Sequence, residues 1–136
     1  MEPAHAEVEQ VWPRDGCICI VGTIVGMPPA AATLTLRHRD RPLTVVHCPA
    51  TVSGRKFETS FDIEIVTAAS MGDRDIWDLH LDLSGRAELR VGRYLDDIVD
   101  KKRIMTFPAQ AHGLFRVRPY YTVHRNLSLI CERAAS

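Results

Sequence analysis

Residues 75–85 read DIWDLHLDLSG. Trp77, Leu79, Leu81 and Leu83 fall on one parity, and Asp78, His80 and Asp82 on the other. Side chains two apart on a strand share a face. The stretch is therefore a strand with one face on a core and the other in water. Ser84-Gly85-Arg86 turns the chain tightly, and Leu89 and Val91 then alternate with Glu88 and Arg90.

The same period of two recurs outward from there. In FETSFDIEIV (57–66), Phe57, Thr59, Phe61, Ile63 and Ile65 alternate with Glu58, Ser60, Asp62 and Glu64. TLTLRHR (33–39) and LTVVHC (43–48) flank Asp40-Arg41-Pro42 as adjacent strands. RVRPYYTVHRNLSLICE (116–132) reads as a closing hairpin. Its strands are 114–122 and 127–132, and Asn126 is the residue expected to tolerate positive φ in the turn. CICIVGTIVG (17–26) is apolar on both parities, which fits a strand covered on both sides or one at an interface. PATVSGRK (49–56) and AASMGDRD (68–75) are turn-rich connectors. LDDIVDKKR (95–103) breaks the pattern with Leu95, Ile98 and Val99 at helical spacing, and KRIMTFP returns to strand up to Pro108.

The expected fold is all-β: an antiparallel, immunoglobulin-like β-sandwich of about eight or nine strands with turns at roughly ten-residue spacing. One short helical turn is expected near residues 95–102. Residues 1–6 are expected to be frayed and 7–133 to form a single domain. The 136 residues suffice for a real core. Formal net charge is zero, so no global field makes nucleic acid a default partner. No segment has the length and apolarity of a membrane span or the pattern of a secretory signal, and a cytoplasmic protein is expected. Without such a signal, Cys17, Cys19, Cys48 and Cys131 read as free thiols behaving as small hydrophobes.

Alternation places Arg116, Arg118 and Tyr120 on one face of their strand. Guanidinium groups grip phosphate through paired N–H donors, and aromatic rings stack on sugars. With His124 and Arg125 in the adjoining turn, this strip is the candidate ligand-binding surface, against the plainer reading of a solvated sheet face. Trp12, beside Pro13, is a candidate aromatic platform or an edge-packing residue. Trp77 reads as core. Asp78, His80 and Asp82 could serve a metal or acid–base chemistry, but alternate strand residues lie nearly 7 Å apart and converge poorly on one ion. An exposed polar row paired with a neighbour's arginines is the favoured reading. Cys17, Cys19, His47 and Cys48 lack zinc-knuckle spacing. No catalytic residue, metal ligand or cofactor site is assigned.

The succession WPRDGCICIVGTIVG, DIWDLHLDLSG, LRVGRYLDD and VRPYYTVHRNLSL resembles the appended immunoglobulin-like β-sandwich domains of bacterial, especially actinobacterial, glycosyltransferases and polyol-phosphate transferases that build or decorate wall polymers such as teichoic acids. The resemblance runs from about Glu7 to Glu132. It implies a non-catalytic accessory module that oligomerises the enzyme or holds its acceptor polymer. The implied partners are a second copy of the chain, an anionic polysaccharide or polyol-phosphate polymer, and a catalytic transferase domain. A free-standing polymer-binding sandwich is the alternative, and a small β-sandwich enzyme a third.

Overall fold

The computed structural model describes residues 3–96 and 105–134. Ten strands and one helix occupy them: β1 (His5–Arg14), β2 (Cys17–Val25), β3 (Ala32–His38), β4 (Val45–Ser53), β5 (Lys56–Asp62), α1 (Ile63–Ala69), β6 (Arg74–Leu83), β7 (Ala87–Gly92), β8 (Gln110–His112), β9 (Phe115–Tyr121) and β10 (Leu127–Arg133). The chain is all-β, as alternation requires.

The layering differs from an antiparallel immunoglobulin-like sandwich. Seven strands close on themselves in the order β3-β4-β5-β2-β1-β7-β6, with β6 returning to β3. One pair, β1 with β7, is parallel, through Ala6↔Val91 and Glu7↔Gly92. The N-terminal half of β6 also pairs with β10, which carries β9 and β8 outward as an extension of the barrel. Closure depends on β4, which pairs with β3 through 45–49 and with β5 through 50–53. The switch falls at Pro49, which has no N–H to lose from a ladder. Alternation fixes which face of a strand is buried; it does not say whether two layers join at their edges.

Three local readings change. Residues 63–66, expected to continue a strand, open α1: Ile63, Val66 and Thr67 are its buried residues, at the i, i+3, i+4 spacing of one helix face. Ile63 and Ile65 fit a two-residue period as well, which is why the segment misled. Residues 49–53, expected as a connector, are strand. His5 and Ala6, expected to be frayed, lie in β1, and Ala6 is fully buried. A bulge between Val8 and Gln10 shifts the β1 phase, so Ala6, Val8 and Val11 all face inward. That break in period hid β1 from the sequence. Of the helical turn expected near 95–102, residues 97–102 lie outside the described residues, and Leu95 and Asp96 form a bend. In KRIMTFP, Thr106 makes a single bridge to Tyr120.

The core includes Ile18, Ile20 and Ile24 of β2, Leu34 and Leu36 of β3, and Leu79, Leu81 and Leu83 of β6, all fully buried. Trp77 is also at 0% exposure and stands edge-on to His38, their ring centroids 5.1 Å apart. The inward parity of CICIVGTIVG is thus core, while Cys17, Cys19 and Val21 are half-buried on the outer face. Positive φ in the closing turn falls on Arg125 (67°), not on Asn126.

A buried clasp sets one end of the barrel. His38 Nδ1 accepts from the backbone N–H groups of Asp40 and Arg41, so its Nε2–H donates to Asp75 at 2.6 Å. Asp75 also accepts from the N–H groups of Met71 and Gly72. Burial alone would raise the Asp75 pKa, but these hydrogen bonds outweigh it and the net shift is downward. Both imidazole nitrogens are spoken for. The neighbours in sequence, Arg39 and Arg74, emerge from the clasp onto the outer surface.

Candidate functional site

The outer face of β6, β10 and β9 is a shallow hollow of about 640 Å³. Strand register builds it row by row. Arg118 lies opposite Ile130, which lies opposite Ile76. One row on, Tyr120 lies opposite Ser128, which lies opposite Asp78. Beyond β6, His80 faces Arg90 of β7. Arg39 and Arg74 enter from the clasp end, and Thr122, Val123, His124 and Asn126 of the closing turn wall the far end. Ile76 and Ile130 make an apolar floor beneath a mostly cationic rim.

Among the described residues, Asp78 is the one carboxylate lining the hollow, against four arginines: Arg39, Arg74, Arg90 and Arg118. Arg39 grips Asp78 with two donors, Nη2 at 2.7 Å and Nε at 3.2 Å. Ser128 Oγ donates to the same carboxylate at 2.8 Å, and Arg90 Nη2 stands 3.8 Å away. Burial pushes the Asp78 pKa up, yet the hydrogen bonds from Arg39 and Ser128 and the arginine charges bring the net shift below the ordinary carboxylate value. Asp78 thus stays ionised and satisfied. The favoured reading of its row holds here: it meets the arginines of neighbouring segments.

His80 is different. Burial first, and the Arg90 charge second, lower its pKa. Its Nδ1 is buried without a hydrogen-bond partner, with Glu88 Oε1 3.6 Å away. Glu88 is engaged instead by the Arg37 guanidinium at 2.9 and 3.0 Å.

Among the described residues, neither Arg74 nor Arg118 has a carboxylate partner; Arg118 lies over the Tyr120 ring, 5.8 Å from its centroid. Glu132 stands opposite Arg74 in the β6–β10 register without closing an ion pair, and the two arginines beside an apolar floor and an aromatic face form an anion-receptive surface.

The six residues expected from sequence separate. Arg118, Tyr120 and His124 line the hollow. Arg116 is exposed but outside it, level with Glu132 across the hairpin. Arg125 serves the fold: its carbonyl accepts from Arg93 N–H at 3.0 Å and its guanidinium donates to Tyr94 O at 3.5 Å. Trp12 lies on the outer face of β1, opposite Cys19, 49% exposed, with the Arg14 guanidinium 5.2 Å from its ring centre. Sequence reasoning did not assign Arg39, Arg74 and Arg90 to the site. Arg39 and Arg74 stand in segments that read as turns, and no local period announces that two turns meet beside a hairpin far along the chain.

No family model and no curated protein matches the chain. Its fold is shared with a solved structure. The crystal structure of S. aureus TarS superposes with a TM-score of 0.68 over 97% of this chain, at 17% sequence identity. The match spans 25% of the TarS chain, so the present chain corresponds to about a quarter of that protein. Among the described residues, no helix is long and apolar enough to cross a membrane.

Proposed function

We propose that the chain is a non-catalytic accessory module of a wall-polymer glycosyltransferase in the cytoplasm, and that it holds the anionic acceptor polymer in the hollow of β6, β10 and β9. The observation that carries this reading is the pair Arg74 and Arg118, neither of which closes an ion pair among the described residues, over the Ile76–Ile130 floor and beside Tyr120. Guanidinium groups on opposite sides of one apolar strip suit a phosphate held between them while the neutral part of a polymer lies on the floor and ring. The resemblance to transferase-appended domains and the fold shared with TarS, a teichoic-acid glycosyltransferase, support the same context.

The test is binding of a polyol-phosphate polymer to the protein and to the Arg74→Ala/Arg118→Ala double variant. The double variant is expected to keep its melting temperature within about 2 °C, since Arg74 is exposed and half-buried Arg118 closes no ion pair among the described residues. It should lose at least about tenfold in affinity. Arg116→Ala, outside the hollow, serves as the control. An equal loss with Arg116→Ala, or none with the double variant, overturns the reading.

Self-association is the second reading. The outer face of β1 and β2 presents Trp12 at 49% exposure beside half-buried Cys19 and Val21, an apolar patch of the kind that closed oligomers cover. Light scattering across a concentration series reads the mass directly, and a monomer throughout overturns this part.

A further inference from the structure

We propose that His5 and Glu7 form a latch, closed while the imidazole is protonated, that positions the closing turn at the far wall of the hollow. The His5 ring is buried in β1, and both of its nitrogens meet accepting oxygens. Nδ1 lies 2.8 Å from the Pro3 carbonyl, and Nε2 lies 2.9 Å from Glu7 Oε1. A neutral imidazole has one N–H and can serve only one of these oxygens; two donors require the imidazolium. Glu7 fits the same assignment. Its Oε1 also accepts from Tyr94 N–H at 3.1 Å, and its Oε2 accepts from Leu95 N–H at 3.3 Å. Loss of either ring proton leaves a nitrogen lone pair against an oxygen, and that contact opens.

From Glu7 the connection runs through Tyr94 to the turn. The Tyr94 ring stands edge-on to His5, their centroids 4.8 Å apart. The Tyr94 carbonyl accepts from the Arg125 guanidinium, its hydroxyl donates to Asn126 Oδ1, and Arg93 N–H donates to Arg125 O. Asn126 lines the hollow together with Thr122, Val123 and His124. The groups around the latch hold their charge across the neutral range. Opposite His5 on β2 is Val25, which has none. Arg90 of β7 and Arg125 of the turn stay cationic, and Arg93 is paired with Asp96. Burial raises the pKa of Tyr94 and pushes that of Tyr121 up to about 12, so both phenols stay neutral. Imidazole is the side chain whose charge ordinarily changes between about pH 5 and about pH 8. Acidity would thus set how firmly the far wall is held.

The test needs no polymer, so its outcome is separate from that of the proposed function. Amide hydrogen exchange of the intact chain, corrected for its intrinsic pH dependence, is followed from about pH 5.5 to about pH 8.5 beside an NMR titration of the His5 ring nitrogens. Both nitrogens should carry a proton at the acidic end. As His5 loses its proton, protection of the Arg93, Tyr94 and Leu95 amides should fall at least about tenfold with the same midpoint, the scale of losing a hydrogen bond to a charged group. The β3–β6 ladder around Leu34 and Leu81 should keep its protection. In His5→Gln, whose side chain does not titrate, the step should disappear; if that variant does not fold, the coincidence of the two midpoints in the unaltered chain decides. A ring that is neutral throughout, a His5 titration that leaves the three amides unchanged, an equal step in the β3–β6 ladder, or the same step in His5→Gln overturns the latch.

Discussion

The two outer faces of the molecule use similar side chains to opposite effect. On β1, β2 and β5, Lys56 hydrogen-bonds both Glu9 and Thr23, and Thr23 hydrogen-bonds Glu9 in turn. Cys17 Sγ donates to Asp62 at 3.0 Å, which raises the thiol pKa and leaves it a poor nucleophile. On β6, β10 and β9, Asp78 engages Arg39 and faces Arg90, but among the described residues Arg74 and Arg118 close no such pair. Apart from Arg14 over Trp12, the first face ties its cation, Lys56, to Glu9 and Thr23; the other sets Arg74 and Arg118 beside an apolar floor without ion pairs among the described residues. A polar strand face becomes receptive through an imbalance of partners, not through the number of charges it carries.

The comparison breaks most severely at the clasp. His38→Ala leaves the buried Asp75 carboxylate and the Asp40 and Arg41 N–H groups without their partner. It should cost about 3 kcal/mol in chemical denaturation. Because Arg39 and Arg74 flank the clasp, polymer binding should fall with it, while the Glu9–Thr23–Lys56 row, built on other strands, stays in place. Unchanged stability would show that the clasp does not hold the site.

Asp78→Asn sharpens the contrast. It removes the one carboxylate that lines the hollow among the described residues and should tighten single-phosphate binding several-fold, at a stability cost of about 1–2 kcal/mol from the weakened Arg39 and Ser128 contacts. Weaker phosphate binding by a folded variant would mean that Asp78 holds Arg39 in the binding geometry and is not mainly a competitor for it.

The smallest expected effect is one of pH. The His80 pKa is lowered in the fold, so as pH falls through the ordinary value of 6.5 the unfolded chain takes up the proton first. The contribution of His80 to stability is full above that pH and declines as pH drops toward the lowered value. Melting temperature should fall modestly from pH 7 to pH 5, and His80→Gln should flatten the part of the slope that His80 contributes. Asp78, with its own lowered pKa, acts in a separate window: its contribution is present above the ordinary carboxylate value of 3.8 and lost as pH falls below it. An identical slope in His80→Gln would remove His80 from the account.

The sequence by itself determined which residues face inward along β5, β6, β7 and β9, because side chains alternate across a strand and burial enforces the register. It therefore placed Trp77 in the core, at 0% exposure, and put Arg118 and Tyr120 together on an outer face. It missed β1, where a bulge breaks the period, and the start of α1, where Ile63 and Val66 satisfy a helix while Ile63 and Ile65 imitate a strand. Only the tertiary structure decided that β4 turns between two layers, that β1 and β7 run parallel, and that the seven strands close. Only it brought Arg39 and Arg74 beside Arg118, because the His38–Asp75 clasp joins two turns that no local pattern connects. Local periodicity fixes the direction of a side chain; the partners that direction meets depend on strands distant in sequence.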